Sequence, residues 1–231
     1  MTLFLQLVVD GIGSGAIYAS LALALVLIYR STGLLNFAQG EMAMFATFIA
    51  WVLTDSGVPV GFAIVGGMAF AFVGGAGIER LLIRPVEAAS PLAIVIVTIG
   101  LFIALNALAG YIWGYDGEQF PDIFPGDVYD LGGVSLRAET VGILGVLLAI
   151  CGLLFLLLQR TKVGLAMRAV ASNPESSGLV GIAVGRMLMF GWGLAGALGA
   201  LSGALIAPEI FVSPNMMLGV LIYAFAAATL G

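Results

Sequence analysis

Histidine is absent from the 231 residues, and cysteine occurs once, as Cys151. Without an imidazole there is neither His-based acid–base catalysis nor a histidine metal site. One thiol cannot form an intramolecular disulfide, so Cys151, inside an apolar run, is read as a small packed side chain. Charge is scarce too: 9% of residues are charged, against roughly 25% in an ordinary soluble domain. No Gly-x-x-x-x-Gly-Lys-Ser/Thr phosphate cradle occurs, and Ser14, between Gly13 and Gly15, has no base to activate it. These absences speak against an enzyme, and no cofactor, metal or nucleic acid is expected as a ligand.

What fills the chain is apolar: 61% of residues are hydrophobic. Seven apolar runs stand out, at 3–29, 36–53, 59–79, 92–113, 140–158, 187–207 and 217–231, the last cut short. A helix crosses the hydrocarbon core in about 20 residues, so the lipid bilayer is the solvent. Backbone polar groups in lipid need internal partners, and long runs without period-2 alternation select helices over a barrel. The expected fold class is all-α, a polytopic transmembrane helical bundle of about seven spans forming one domain over residues 1–231. Residues 1–10 lack the basic start of a cleaved signal peptide, so the first helix is expected to stay.

Lys and Arg placement sets the expected orientation, because short cytoplasmic loops hold the excess of positive charge. With the N-terminus outside, Arg30, Arg80, Arg84, Arg160, Lys162, Arg168 and Arg186 fall on the cytoplasmic side and only Arg137 is external. The chain is thus expected to be a multi-pass protein of a bacterial or archaeal cytoplasmic membrane.

Glycine recurs inside these runs rather than in linkers, notably at Gly193, Gly196, Gly199 and Gly203. Small residues four apart let helix backbones approach closely in lipid, so Gly196, Gly199 and Gly203 are assigned to helix packing.

Three segments depart from a plain bundle. The first is 33–42, where Asn36, Gln39 and Glu41 open an apolar run. Asn36 suits an N-cap, Gln39 is placed to reach back to it as in a capping box, and Glu41 would lie in the positive field of the helix start. A carboxylate at membrane depth costs about 2.5–3.5 kcal/mol, so it faces a polar cavity or a partner. Two readings stand side by side: an interfacial cap with Glu41 in water, or a translocation pathway lined by Asn36, Gln39 and Glu41.

The second is the loop 159–186. Leu165 to Ala171 predicts one short helix; Ser172 or Asn173 caps another that begins at Pro174 with Glu175 in its first turn. Leu179, Val180 and Ile182 give that helix an apolar side, suited to a groove in a soluble partner or to the headgroup layer. The third is the external loop 114–138. Its acids Asp116, Glu118, Asp122, Asp127 and Asp130 lack the spacing of a calcium loop. This loop is either solvated or a landing place for an external partner.

Gly33-Leu-Leu-Asn-Phe-Ala-Gln-Gly-Glu-Met42, preceded by Gly15-Ala-Ile-Tyr-Ala-Ser-Leu-Ala-Leu23, resembles the start of branched-chain amino-acid ABC importer permeases, most of all the H-type subunit. Residues 164–182, the glycine-rich helix after them and Ala-Ala-Ala-Thr-Leu-Gly at 226–231 resemble that family's cytoplasmic loop and core. The resemblance implies a translocation subunit for an amino-acid substrate. Its implied partners are ABC ATPase subunits, a second permease subunit, identical or different, and an external substrate-binding protein. It also implies an ATPase coupling loop carried by Gly164, Arg168, Ala169, Asn173, Pro174, Glu175 and Gly181. Two departures stand out: Ser176-Ser177-Gly178 replaces the alanines and larger residue common there, and members usually continue past the position of Gly231. The chain is therefore expected to be C-terminally truncated. Urea or small amides as substrate, and a secondary transporter or channel without an ATPase, are the alternatives.

Overall fold

The computed structural model describes residues 2–33, 35–87, 90–124, 126, 128–130 and 134–230. Long apolar runs with few breakers wind into α1 (Thr2–Thr32), α2 (Gln39–Asp55) and α3 (Val60–Ile78). A π turn (Glu79–Ile83) follows, then α4 (Arg84–Glu87) and α5 (Pro91–Trp113), which Ser90 caps by accepting the Ala93 N–H. A small antiparallel hairpin of β1 (Val128–Asp130) and β2 (Ser135–Arg137) precedes α6 (Ala138–Arg160). The chain ends with α7 (Lys162–Ser172), α8 (Pro174–Leu179), α9 (Val184–Ile210) and α10 (Met217–Leu230).

Each of the seven expected runs is helical over most of its described residues, but 36–38 and 59 lie ahead of their helices; residue 231 lies outside the described residues. Among the described residues, five helical stretches are long and apolar enough to cross a membrane: Leu3–Arg30, Val60–Val86, Leu92–Trp113, Ala138–Arg160 and Val184–Ile210. The other two are shorter. With 17 and 14 residues, α2 and α10 reach about 26 and 21 Å. Each starts inside the bundle. The Gln39 side chain, at the first turn of α2, bonds the carbonyl oxygen of Ala195, well along α9, and a Cβ on Gly40 would touch Met217, at the start of α10.

At the hub stands α9, whose Leu188–Ala207 stretch is almost wholly buried. Its glycines are where neighbouring backbones come close. A Cβ on Gly196 would lie 2.5 Å from the Ala71 carbonyl oxygen, and one on Gly193 2.8 Å from that of Phe72. In return, Gly75 of α3 meets the Trp192 carbonyl. On its α2 side, Gly199 faces Gln39 and Gly203 faces the Thr47 hydroxyl. All three predicted packing glycines thus sit at helix contacts. A different side meets α1, where Ser202 Oγ donates to the Ile17 carbonyl at 3.3 Å.

The outer helices behave differently. Only Thr140, Ile143 and Ile150 of α6 are buried, and Cys151 is exposed beside them rather than packed, because α6 touches the bundle along one narrow stripe. Charges gather at the two ends: Arg30, Arg160 and Arg168 at one, and Asp10, Glu139 and Glu209 at the other. At the acidic end, the 114–138 loop is partly built into the fold. Phe120 is fully buried, and Glu118 and Val212 exchange backbone hydrogen bonds at 3.0 and 2.8 Å. Pro125 and Asp127 of this loop lie outside the described residues.

Candidate functional site

Between α1 and α2 the chain turns back into the bundle without helical structure, and Asn36 and Ala38 are buried there. Irregular backbone at membrane depth persists only where the protein itself satisfies it. Asn36 does much of this. Its Oδ1 accepts the Ala38 N–H at 3.0 Å, and its Nδ2 donates to Gln39 Oε1 at 3.2 Å. The expected capping box is not formed. The helix begins at Gln39 after Ala38, with no side-chain cap, because Asn36 closes a turn two residues on. Gln39 instead sends its amide to the Ala195 carbonyl at 2.9 Å.

Two residues on, Glu41 is 1% exposed, so its carboxylate does not reach water from an interfacial cap. Measured along α2, it lies about 21 Å from the end at Asp55. Its partner is Asn106, in the middle of α5. The Asn106 amide nitrogen lies 3.3 Å from Glu41 Oε2, 2.8 Å from the Pro214 carbonyl oxygen and 3.4 Å from Asn215 Oδ1. One amide with two hydrogens therefore faces three oxygen acceptors, and with α5 itself three segments meet there. The third segment is the second break in the bundle. Phe211, at a left-handed φ of 63°, ends α9 and turns the chain back, and residues 213–216 lead to α10. Glu41, in the first turn of α2 where the helix dipole favours a carboxylate, thus shares Asn106 with the second irregular stretch.

At the basic end, α7 and α8 form the patterned loop. Thr161 caps α7 by accepting the Gly164 N–H at 3.0 Å, and a Cβ on Gly164 would run into the backbone of Leu157 and Leu158. Asn173 caps α8 through the Ser176 N–H at 2.8 Å, with Pro174 and Glu175 in its first turn and the Asn173 N–H held by the Ala169 carbonyl. The loop leaves α8 through Gly181 at φ 89°, a conformation open to glycine. Arg168 is exposed and donates to Gln159 Oε1 at 2.9 Å. Leu179 and Val180 are 90% and 77% exposed.

The sequence profile described as branched-chain amino acid transport system / permease component matches residues 7–231. The chain belongs to this family. It is 26% identical over 243 aligned residues to the high-affinity branched-chain amino acid transport system permease protein LivH of Escherichia coli, covering 99% of this chain and 79% of that protein. The corresponding BraD permease of Pseudomonas aeruginosa gives the same identity and coverage. The probable branched-chain amino acid transport permease protein LivH of Methanocaldococcus jannaschii is 31% identical over 226 residues, covering 91% of this chain and 69% of that one. No solved structure matches the chain at a significant level.

In this branched-chain permease family member, the structure joins Asn36 to Gln39, turns Glu41 instead to Asn106, and leaves the loop residues at the basic end. Sequence reasoning missed Asn106 and the 214–215 stretch. An amide in the middle of the apolar run 92–113 was the signal for Asn106. Nothing local pointed to the Pro214 carbonyl, whose role depends on where the chain turns back.

Proposed function

We propose that the chain is the membrane-spanning permease subunit of an ATP-driven ABC importer of branched-chain amino acids. Its partners in this reading are ABC ATPase subunits, a second permease subunit and an external substrate-binding protein. The observation that carries the proposal is the α7–α8 loop. In a chain matched to the permease family over residues 7–231, a doubly capped helix pair ends in the exposed apolar side chains Leu179 and Val180. Apolar surface on a short rigid helix fits a groove on a soluble partner.

In this reading the basic end faces the cytosol and the N-terminus lies outside, as the distribution of Lys and Arg favours. ATP binding and hydrolysis in the partner subunits move the loop. Nucleotide shifts the bundle between its two access states only if the loop contact differs between those states. The path passes Glu41. Glu41 Oε2, the Pro214 carbonyl and Asn215 Oδ1, now shared by the Asn106 amide, are acceptors suited to the ammonium group of an amino acid.

A mild-detergent pull-down of the natively expressed protein, with copurifying proteins identified by mass spectrometry, tests the reading. Recovery of P-loop ATPases with a second permease is expected. Recovery of the chain alone, still driving proton- or sodium-coupled uptake, would make it a secondary transporter. Competition assays with urea and small amides separate those substrates from amino acids.

A further inference from the structure

Glu79 and Arg84 are five residues apart, a spacing that an α-helix does not pair. At about 100° per residue, five α-helical steps leave two side chains about 140° apart around the axis. Residues 79–83 form a π turn instead, and the Arg84 N–H donates to the Glu79 carbonyl, the i to i+5 bond of that geometry. The wider turn also stacks the two side chains. Arg84 Nη2 donates to Glu79 Oε2 at 2.7 Å and Nε to Oε1 at 3.2 Å, a bidentate pair with Glu79 1% exposed. Pair and π turn therefore require each other. Rewinding the turn as α-helix would swing Arg84 away and strand a buried carboxylate.

The guanidinium has a third partner. Arg84 Nη2 also donates to the Gly185 carbonyl at 2.7 Å, in the first turn of α9 and just past the exit of the α7–α8 loop. A Cβ on Gly185 would lie 2.8 Å from the guanidinium carbon, so a side chain there displaces the guanidinium. From this point α3 and α9 run backbone against backbone, with Gly75 at the Trp192 carbonyl and Gly196 at that of Ala71.

We infer that Glu79, Arg84 and Gly185 form a clamp that locks the start of α9 to the α3 side of the bundle and carries movement of the α7–α8 loop into it. Arg84 acts as a positioning residue for the transport cycle. This inference rests on the importer reading. A loop pulled by an ATPase moves the transmembrane path only if α9 is not free to slip against α3. The clamp prevents that slip at the end nearest the loop, and the glycine contacts propagate the shift.

Two variants disturb the clamp, one by crowding the guanidinium and one by removing both charges of the pair. Gly185→Ala pushes the guanidinium aside, while alanine favours the helix. Glu79→Gln with Arg84→Gln removes both charges together. Each is assembled with all importer subunits in nanodiscs, and three quantities are read: assembly, basal ATP hydrolysis, and hydrolysis and uptake stimulated by substrate-loaded binding protein. Assembly and basal hydrolysis are expected to stay at the wild-type level while stimulated hydrolysis and uptake fall about tenfold. Stimulation and uptake at wild-type level in both variants would overturn the clamp and leave the importer reading intact. Failure of Gly185→Ala to assemble would overturn it too, reducing the clamp to an anchor of the fold. Absence of ATP-driven uptake by the wild-type assembly would remove the importer reading and the inference together.

Discussion

The Gln39 amide donates to the carbonyl oxygen of Ala195 at 2.9 Å, and Gly199, one turn along α9, leaves room for it. A Cβ on Gly199 would lie 2.6 Å from that amide nitrogen. A single polar side chain therefore joins the interrupted start of α2 to the central helix, at a depth where water cannot replace it. Gln39→Met keeps the volume but removes the donor and also takes the acceptor from Asn36 Nδ2. Destabilisation of about 1–2 kcal/mol is expected, read from thermal unfolding in detergent. An unchanged unfolding temperature would mean that the bond contributes nothing.

Close packing of α3 on α9 predicts a contrast between two glycines. Gly196→Ala forces a methyl against the Ala71 carbonyl and is expected to cost about 1–3 kcal/mol despite alanine's better helix propensity. Gly74→Ala, which meets nothing within 4 Å, is expected to be neutral or slightly stabilising. Equal effects in the same unfolding assay would contradict the packing assignment.

Glu41→Gln retains an oxygen acceptor for Asn106 but removes the charge. If the carboxylate receives a substrate ammonium, the variant inserts and assembles normally while uptake falls by at least about tenfold, as expected for a lost buried charge contact. Uptake by proteoliposomes decides this, and wild-type uptake would take Glu41 off the path.

Leu179→Asp changes a side chain that is 90% exposed, so bundle stability should not move. Copurification of the ATPase should drop sharply, since a carboxylate enters an apolar groove. Arg168→Glu is expected to lower coupling of ATP hydrolysis to uptake while insertion survives. Retained copurification by the first variant would place the docking surface elsewhere.

Asn173→Ala removes the cap of α8, a loss of about 1 kcal/mol to that helix. Faster amide hydrogen exchange confined to residues 175–179 is the expected signature. Uniform exchange across the loop would show that the cap does not order it.

Much of this protein is local in origin. Composition and run length place the chain in a bilayer and set out seven helices, since helix formation in lipid follows from satisfying each backbone group within its own segment. The Asn173 cap and Pro174 at the first helical position were legible for the same reason: each depends on neighbours a few residues away. The glycine spacing announced close packing, though not which backbone each glycine would meet. Only the tertiary structure decided that α2 and α10 begin inside the bundle, and that the capping box at Asn36 gives way to a turn. It also decided the partners of Glu41, Gln39 and Arg84. Asn106 is 65 residues from Glu41, Ala195 is 156 from Gln39 and Gly185 is 101 from Arg84. No pattern within one helix encodes such pairs, because in lipid the choice among equally apolar faces falls to close packing and to the few polar groups that must be satisfied together.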